Sequence, residues 1–130
     1  MPADGAALSA VMSIRAPHAD RIYRGDKRFE FRRQRPRFSP GLKVFIYEPT
    51  PVRAVTGHFR VDGLVDIGDG DLRALEPDDG ERGFVESYLR GARRPTAIEI
   101  AQPRRLDHPV SLDSLGVNVA PQCYVYIPSR

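Results

Sequence analysis

No run of about 18 apolar residues occurs in this chain, so nothing in it reads as a membrane-crossing helix. The opening MPADGAALSA lacks the basic flank and apolar core of a secretory signal. Cysteine appears once, at Cys123, which excludes an internal disulfide and a cysteine metal cluster. His18, His58 and His108 fall at no metal-ligand spacing, so neither a metal nor a cofactor is expected. These absences together suggest a cytoplasmic protein without a membrane partner. With 12 prolines and 11 glycines in 130 residues, the chain favours turns and short elements over long helices. Its length is that of one domain with one core.

The charge is unevenly placed. Arg21–Arg37 holds eight Lys/Arg against Asp26 and Glu30, and Asp66–Glu86 holds eight Asp/Glu against Arg73 and Arg82. Two such blocks either orient an anionic partner, nucleic acid being the commonest, or face each other within the fold. The counts leave both open.

Residues 1–9 read as a disordered lead-in and residues 10–130 as the folded domain. Ala10–Arg15 reads as a short buried strand. Pro17 suits a first helical position, and Ala19, Ile22 and Tyr23 share a face before Gly25, so Pro17–Arg24 is predicted helical. Lys27–Arg33 alternates as a strand, with Phe29 and Phe31 inward and Arg28, Glu30 and Arg32 on the other face. Pro36 and Pro40 make Gln34–Gly41 a loop. Leu42–Tyr47 is apolar on both faces, as a central strand requires. Val55–Ile67 alternates over 13 residues, with Val65 inward and Gly63 marking a bend or bulge, which suits a curled sheet. Asp69–Glu76 reads as a short helix. Gly80–Arg90 reads as a better one, burying Phe84, Val85, Tyr88 and Leu89. Thr96–Ala101, a turn at Ser111–Leu115 and a core strand Cys123–Ile127 complete an α+β chain with a small mixed β-barrel and flanking short helices.

The stretch SIRAPHADRIYRGDKRFEFRR resembles the opening of ASCH domains, part of the PUA-like superfamily. The carrying residues are Ser13-Ile14-Arg15, Pro17, Gly25, Lys27 and Glu30-Phe31-Arg32. KVFIYEPTPVRAVTGHFRVDGLV, ARRPTAIEIAQPRRLDHPVSLDSL and APQCYVYI resemble three later family segments, in family order. The resemblance implies a pseudo-barrel with a cleft beside the Gly-x-Lys motif, and RNA or nucleotide binding. One branch of the family removes an acyl group from N4-acetylcytidine with the motif lysine, a threonine three residues on, and a later helical glutamate. Lys27 matches the lysine, Glu30 replaces the threonine, and Glu86 stands on the later helix.

A binding module for RNA, single-stranded nucleic acid or a nucleotide is thus the first reading, with a cleft lined by the Gly-x-Lys-x-x-Glu-x-Arg strand. A small hydrolase or ribonuclease-like enzyme with Lys27 and Glu30 as acid/base partners is the alternative. Lys27 follows a tight Gly25-Asp26 turn that aims an exposed ammonium at the cleft. Ser13, Glu30 and Arg32 join it as ligand contacts. Arg33 and Arg35, with Arg37, supply phosphate contacts from the proline loop. Tyr47 and Thr50 end the central strand, where a tyrosine can stack on a base. Gln122 and Tyr124 border the same end. Cys123 reads as packing, Arg28 as a solvated cation, and the histidines as satisfied residues. An enzyme needs Lys27 and Glu30 close together in an enclosed pocket; a binder needs an open groove with a continuous positive rim.

Overall fold

The computed structural model describes residues 8–68 and 72–130. The elements run β1 (Leu8–Ser13), α1 (Ala16–Arg24), β2 (Phe29–Arg32), β3 (Lys43–Glu48), β4 (Ala54–Asp66), α2 (Leu72–Leu75), α3 (Asp79–Leu89), β5 (Thr96–Val110), a 3₁₀ turn (Leu112–Leu115) and β6 (Tyr124–Pro128). The expected lead-in lies outside the described residues at 1–7, while Leu8 and Ser9 belong to β1. Likewise 69–71 of the expected helix Asp69–Glu76 lie outside them, and Leu72–Leu75 is helical.

Strand alternation builds a core on each side of one six-stranded sheet, ordered β2-β5-β4-β3-β1-β6. Ala10, Met12, Val44 and Ile46 point to one side, where Phe59, Val61, Ile98 and the α1 residues Ala19 and Ile22 close over them. Val11, Phe45 and Tyr47 point to the other, under Leu115 and Val117. β1 and β3, buried on both faces, pair in parallel. This geometry requires the intervening crossover through α1. Helix α1 ends at Gly25, whose φ of 84° is left-handed, and the amides of Asp26 and Lys27 both return to Arg21 O.

The sheet is mixed and strongly bulged, but it does not close into the expected barrel: among the described residues no ladder joins its edges β2 and β6. After Arg32 the chain enters Pro36 and Pro40, which have no amide hydrogen to donate, so β2 cannot extend. Side chains span the seam instead. Arg32 Nη1 lies 3.8 Å from Cys123 Sγ, the Tyr124 hydroxyl accepts from Arg37 N at 3.3 Å, and the Tyr126 hydroxyl donates to Arg37 O. The Phe38 ring packs edge-on against Tyr124, with centroids 4.7 Å apart.

Three local expectations change. The β4/β5 register slips between Val61 and Gly63, a bulge at the expected glycine. This turns Leu64 onto the core and leaves Val65 38% exposed, opposite to its expected direction. β5 continues well past Ala101, to Val110, as a long antiparallel partner of β4. Cys123 precedes β6 and is exposed, because the strand begins one residue later, at Tyr124.

Candidate functional site

A cleft of about 600 Å³ opens where the β1–α1 junction, β2 and α3 meet. Ser13, Ile14, Arg15, Pro17 and His18 come from the junction, Lys27, Glu30, Phe31 and Arg32 from the segment ending in β2, and Pro49 and Gln122 from neighbouring loops. Helix α3 contributes Glu81, Phe84, Val85 and Tyr88, spaced i, i+3, i+4, i+7 as one helical face.

Lys27 is only 5% exposed, not the solvent-facing ammonium its turn suggested. Its Nζ lies 4.7 Å from the centroid of the Phe31 ring. Among the described residues it forms neither a hydrogen bond nor an ion pair. Burial lowers its pKa from the usual lysine value, and the nearby carboxylates Glu30, Glu76 and Glu81 oppose that shift. Burial makes this ammonium a stronger acid than a free lysine, so it releases its proton more readily.

Glu30 is 7% exposed and meets Arg32 through one oxygen alone. Arg32 Nε donates to Oε2 at 3.1 Å, and Nη2 reaches the same oxygen at 2.9 Å. Nη2 also donates to Ser13 O at 2.8 Å. Oε1 has no partner among the described residues. The guanidinium therefore orients the carboxylate and leaves half of it available. Ser13 Oγ donates to Pro121 O at 2.6 Å, tying β1 to the loop that carries Gln122.

His18 lines the cleft with Nδ1 buried and unpartnered. Burial and then Lys27 lower its pKa, which keeps the ring neutral near pH 7. The expected buried stripe of α3 divides. Val85 and Leu89 pack on Phe31 and Ala97, whereas Phe84 is 73% and Tyr88 45% exposed. Glu86 is exposed on a different face of the helix, and Glu81 is the α3 carboxylate in the cleft.

Of the expected contacts, Ser13, Lys27, Glu30, Arg32 and Gln122 meet in the cleft. Arg33, Arg35, Tyr47 and Thr50 are not among its lining residues. Arg33 Nη1 donates to the carbonyls of Tyr88 and Arg90 at the end of α3, and Arg35 pairs with Asp66 at 2.8 Å. Tyr47 is buried in the core under the 3₁₀ turn, and Thr50 accepts from Arg53 Nε in an exposed turn. Tyr124 packs on Phe38. The two charge blocks do meet: Arg21 pairs with Glu76 at 3.0 Å and Glu81 at 3.6 Å, and Arg35 with Asp66. Sequence reading missed His18, Glu81 and the exposed faces of Phe84 and Tyr88. The Glu81-Phe84-Tyr88 spacing was a usable signal for a second helix face, but nothing in it distinguishes cleft from core.

The class of protein is thus an open-edged α+β sheet with a lysine and a carboxylate buried in one cleft. The ASCH domain family matches residues 12–109, and the chain belongs to that family. A curated relative, an ASCH domain-containing ribonuclease of Zymomonas mobilis, is 31% identical over 113 residues, covering 82% of this chain and 72% of the relative. The crystal structure of ASCH from Zymomonas mobilis superposes with a TM-score of 0.74 at 26% identity, covering 92% of this chain and 87% of that one. A mutant form of the same protein gives 0.74 at 25% identity, covering 92% and 89%.

Proposed function

We propose that this protein is a ribonuclease that cleaves single-stranded RNA in the cleft. The carrying observation is the pair Lys27 and Glu30: a buried, unpaired ammonium beside a carboxylate with one oxygen pinned and the other available. The ribonuclease named among the relatives supports the same chemistry. A pure binder would use a continuous positive rim, yet Arg33 and Arg35 are engaged by carbonyls and by Asp66.

The chemistry is an internal transesterification. Glu30 Oε1 takes the proton of a ribose 2′-hydroxyl, whose oxygen then bonds to the adjacent phosphorus. The bond from phosphorus to the 5′-oxygen breaks, and Lys27 gives its proton to that leaving oxygen. The products are a cyclic phosphate and a free 5′-hydroxyl, with no atom unaccounted for. Arg32 positions the base, and Phe84 and Tyr88 offer exposed rings on which unpaired bases stack.

The test is cleavage of a labelled single-stranded RNA, beside the same RNA with a 2′-deoxy sugar at the cut site. Cleavage of the first and not the second is expected. Tight binding without any cleavage would return the protein to the class of RNA-binding modules.

A further inference from the structure

Positive charge without a carboxylate partner also lies outside the basic block of the sequence. Arg21, Arg24, Arg32 and Arg35, all in the basic block, each meet a carboxylate. A different set meets none. Lys43 opens β3 directly opposite Arg60 on β4, and Phe45 lies opposite His58. His58 in turn lies opposite Arg104 on β5. Strand alternation puts all five side chains on one face. No ion pair reaches Lys43, Arg60 or Arg104 among the described residues. His58 is held below its usual pKa by burial and then by Lys43, Arg104 and Arg60, with no carboxylate opposing them.

Like charges directly opposite one another weaken a sheet. Here one such pair, Lys43 and Arg60, has Arg104 on the same face, which suits a negative partner. Its occupant is a polyanion more than a protein surface, because protein interfaces seat exposed apolar anchors. The one aromatic residue here, Phe45, is buried with Lys43 Nζ 5.0 Å from its ring centroid. Lys43 to Arg104 spans two strand spacings, about 10 Å, comparable to three phosphates of a stacked strand at about 3.4 Å each.

We propose that this face of β3, β4 and β5 binds the phosphodiester backbone of single-stranded RNA, as a second contact outside the cleft. The identity of the polymer rests on the ribonuclease reading; the existence of an anion-binding face does not. Lys43 begins β3, and Pro49, just beyond its end, lines the cleft. Six residues of strand separate them by about 20 Å, so a stacked RNA needs about six nucleotides to reach from one to the other. The face thus selects substrates by length.

The test measures binding of RNAs of about 4 and about 30 nucleotides across a salt series. It uses the Glu30→Gln protein, so that the RNA stays whole, with and without Lys43→Gln plus Arg104→Gln. The long RNA should lose about tenfold in affinity and about 1.4 in its logarithmic salt slope, the share of two phosphate contacts on a single strand. The short RNA should bind as before. Each single substitution should give about half the change in slope. Unchanged long-RNA binding in a normally melting double variant overturns the proposal. So does an equal loss for both lengths, or loss of polyglutamate binding with RNA binding intact, which would mark an acidic protein as the partner. Failure of cleavage in the unmodified protein sinks the ribonuclease reading and leaves this result standing.

Discussion

Arg32 binds Oε2 of Glu30 through both Nε and Nη2 and leaves Oε1 unpartnered among the described residues. The same guanidinium is fixed to Ser13 O, so the carboxylate is oriented by the backbone of β1. Glu30→Gln keeps the shape and the hydrogen bond but removes the base. Cleavage should fall by about 100-fold or more with a modest fall in melting temperature, because the amide oxygen still accepts from Arg32 but no longer offsets its charge. Arg32→Ala should instead destabilise by about 3 kcal/mol, because it strands a buried charge. Thermal melts and single-turnover rates separate the two.

Lys27 costs stability where it stands. Its folded pKa lies below its unfolded value, so below about pH 10 the unfolded chain gains more from the bound proton. Replacing a buried, unpaired cation by an apolar residue of like volume removes that cost. Lys27→Met should therefore be inactive yet more stable by about 1 kcal/mol at pH 7, read by chemical denaturation. A loss of stability would mean that the ammonium supports the fold.

Phe84 and Tyr88 provide the sharpest contrast between sequence and structure. Had they been core residues, each truncation would cost about 3–5 kcal/mol. Exposed as they are, Phe84→Ala and Tyr88→Ala should each change stability by about 0.5 kcal/mol or less while weakening RNA binding by about tenfold. Melting curves and RNA titrations of the same preparations check both halves.

Gly57 accommodates helix α1 by having no side chain. A Cβ there would sit 2.5 Å from Tyr23 Oη and nearer still to Arg104 O, which is backbone. The Tyr23 hydroxyl is itself 2.8 Å from Thr56 Oγ1, which donates to the buried Glu48. Gly57→Ala should destabilise by about 2 kcal/mol or more. Tyr23→Ala should recover only part of that, since the carbonyl remains in the way; full recovery would place the whole conflict on the ring.

His18 and His58 share one sign of pH dependence. Both have folded pKa values below 6.5, so above that both states are neutral and neither residue matters. As pH falls below 6.5 the unfolded chain takes up protons first and stability declines, until the folded pKa values are passed. Stability measured from pH 7.5 to pH 5 should fall less steeply in His18→Gln and in His58→Gln than in the unmodified protein. Equal slopes would show that carboxylates alone set the acid limb.

The fold was legible wherever side-chain direction follows from local rules. Ala10–Met12 and Val44–Tyr47 alternate between two cores as their apolar pattern requires, and Gly25 ends α1. The site was half legible, since Ser13, Lys27, Glu30 and Arg32 lie on one contiguous stretch and meet in the cleft. What failed to show depends on distant chain. Arg33 and Arg35 looked free because their partners, the end of α3 and Asp66, are remote in sequence. The barrel was overestimated because strand length carries no information about whether two edges meet. β5 beyond Ala101 was missed because its residues there are mostly exposed and polar, and only pairing with β4 makes them a strand.

The seam between β2 and β6 gives the cleft an unusual mechanical setting. Ser13, Arg32 and Gln122 line the cleft and also lie along the line where the sheet fails to join itself. On either side, backbone ladders hold the strands at fixed spacing, while across the seam a guanidinium and two tyrosine hydroxyls do the holding. The mouth of the site can therefore widen by turning side chains, at no cost in ladder hydrogen bonds. The width of the cleft mouth is in this way set by side-chain rotamers, and among these seam contacts Arg32 also belongs to a buried ion pair.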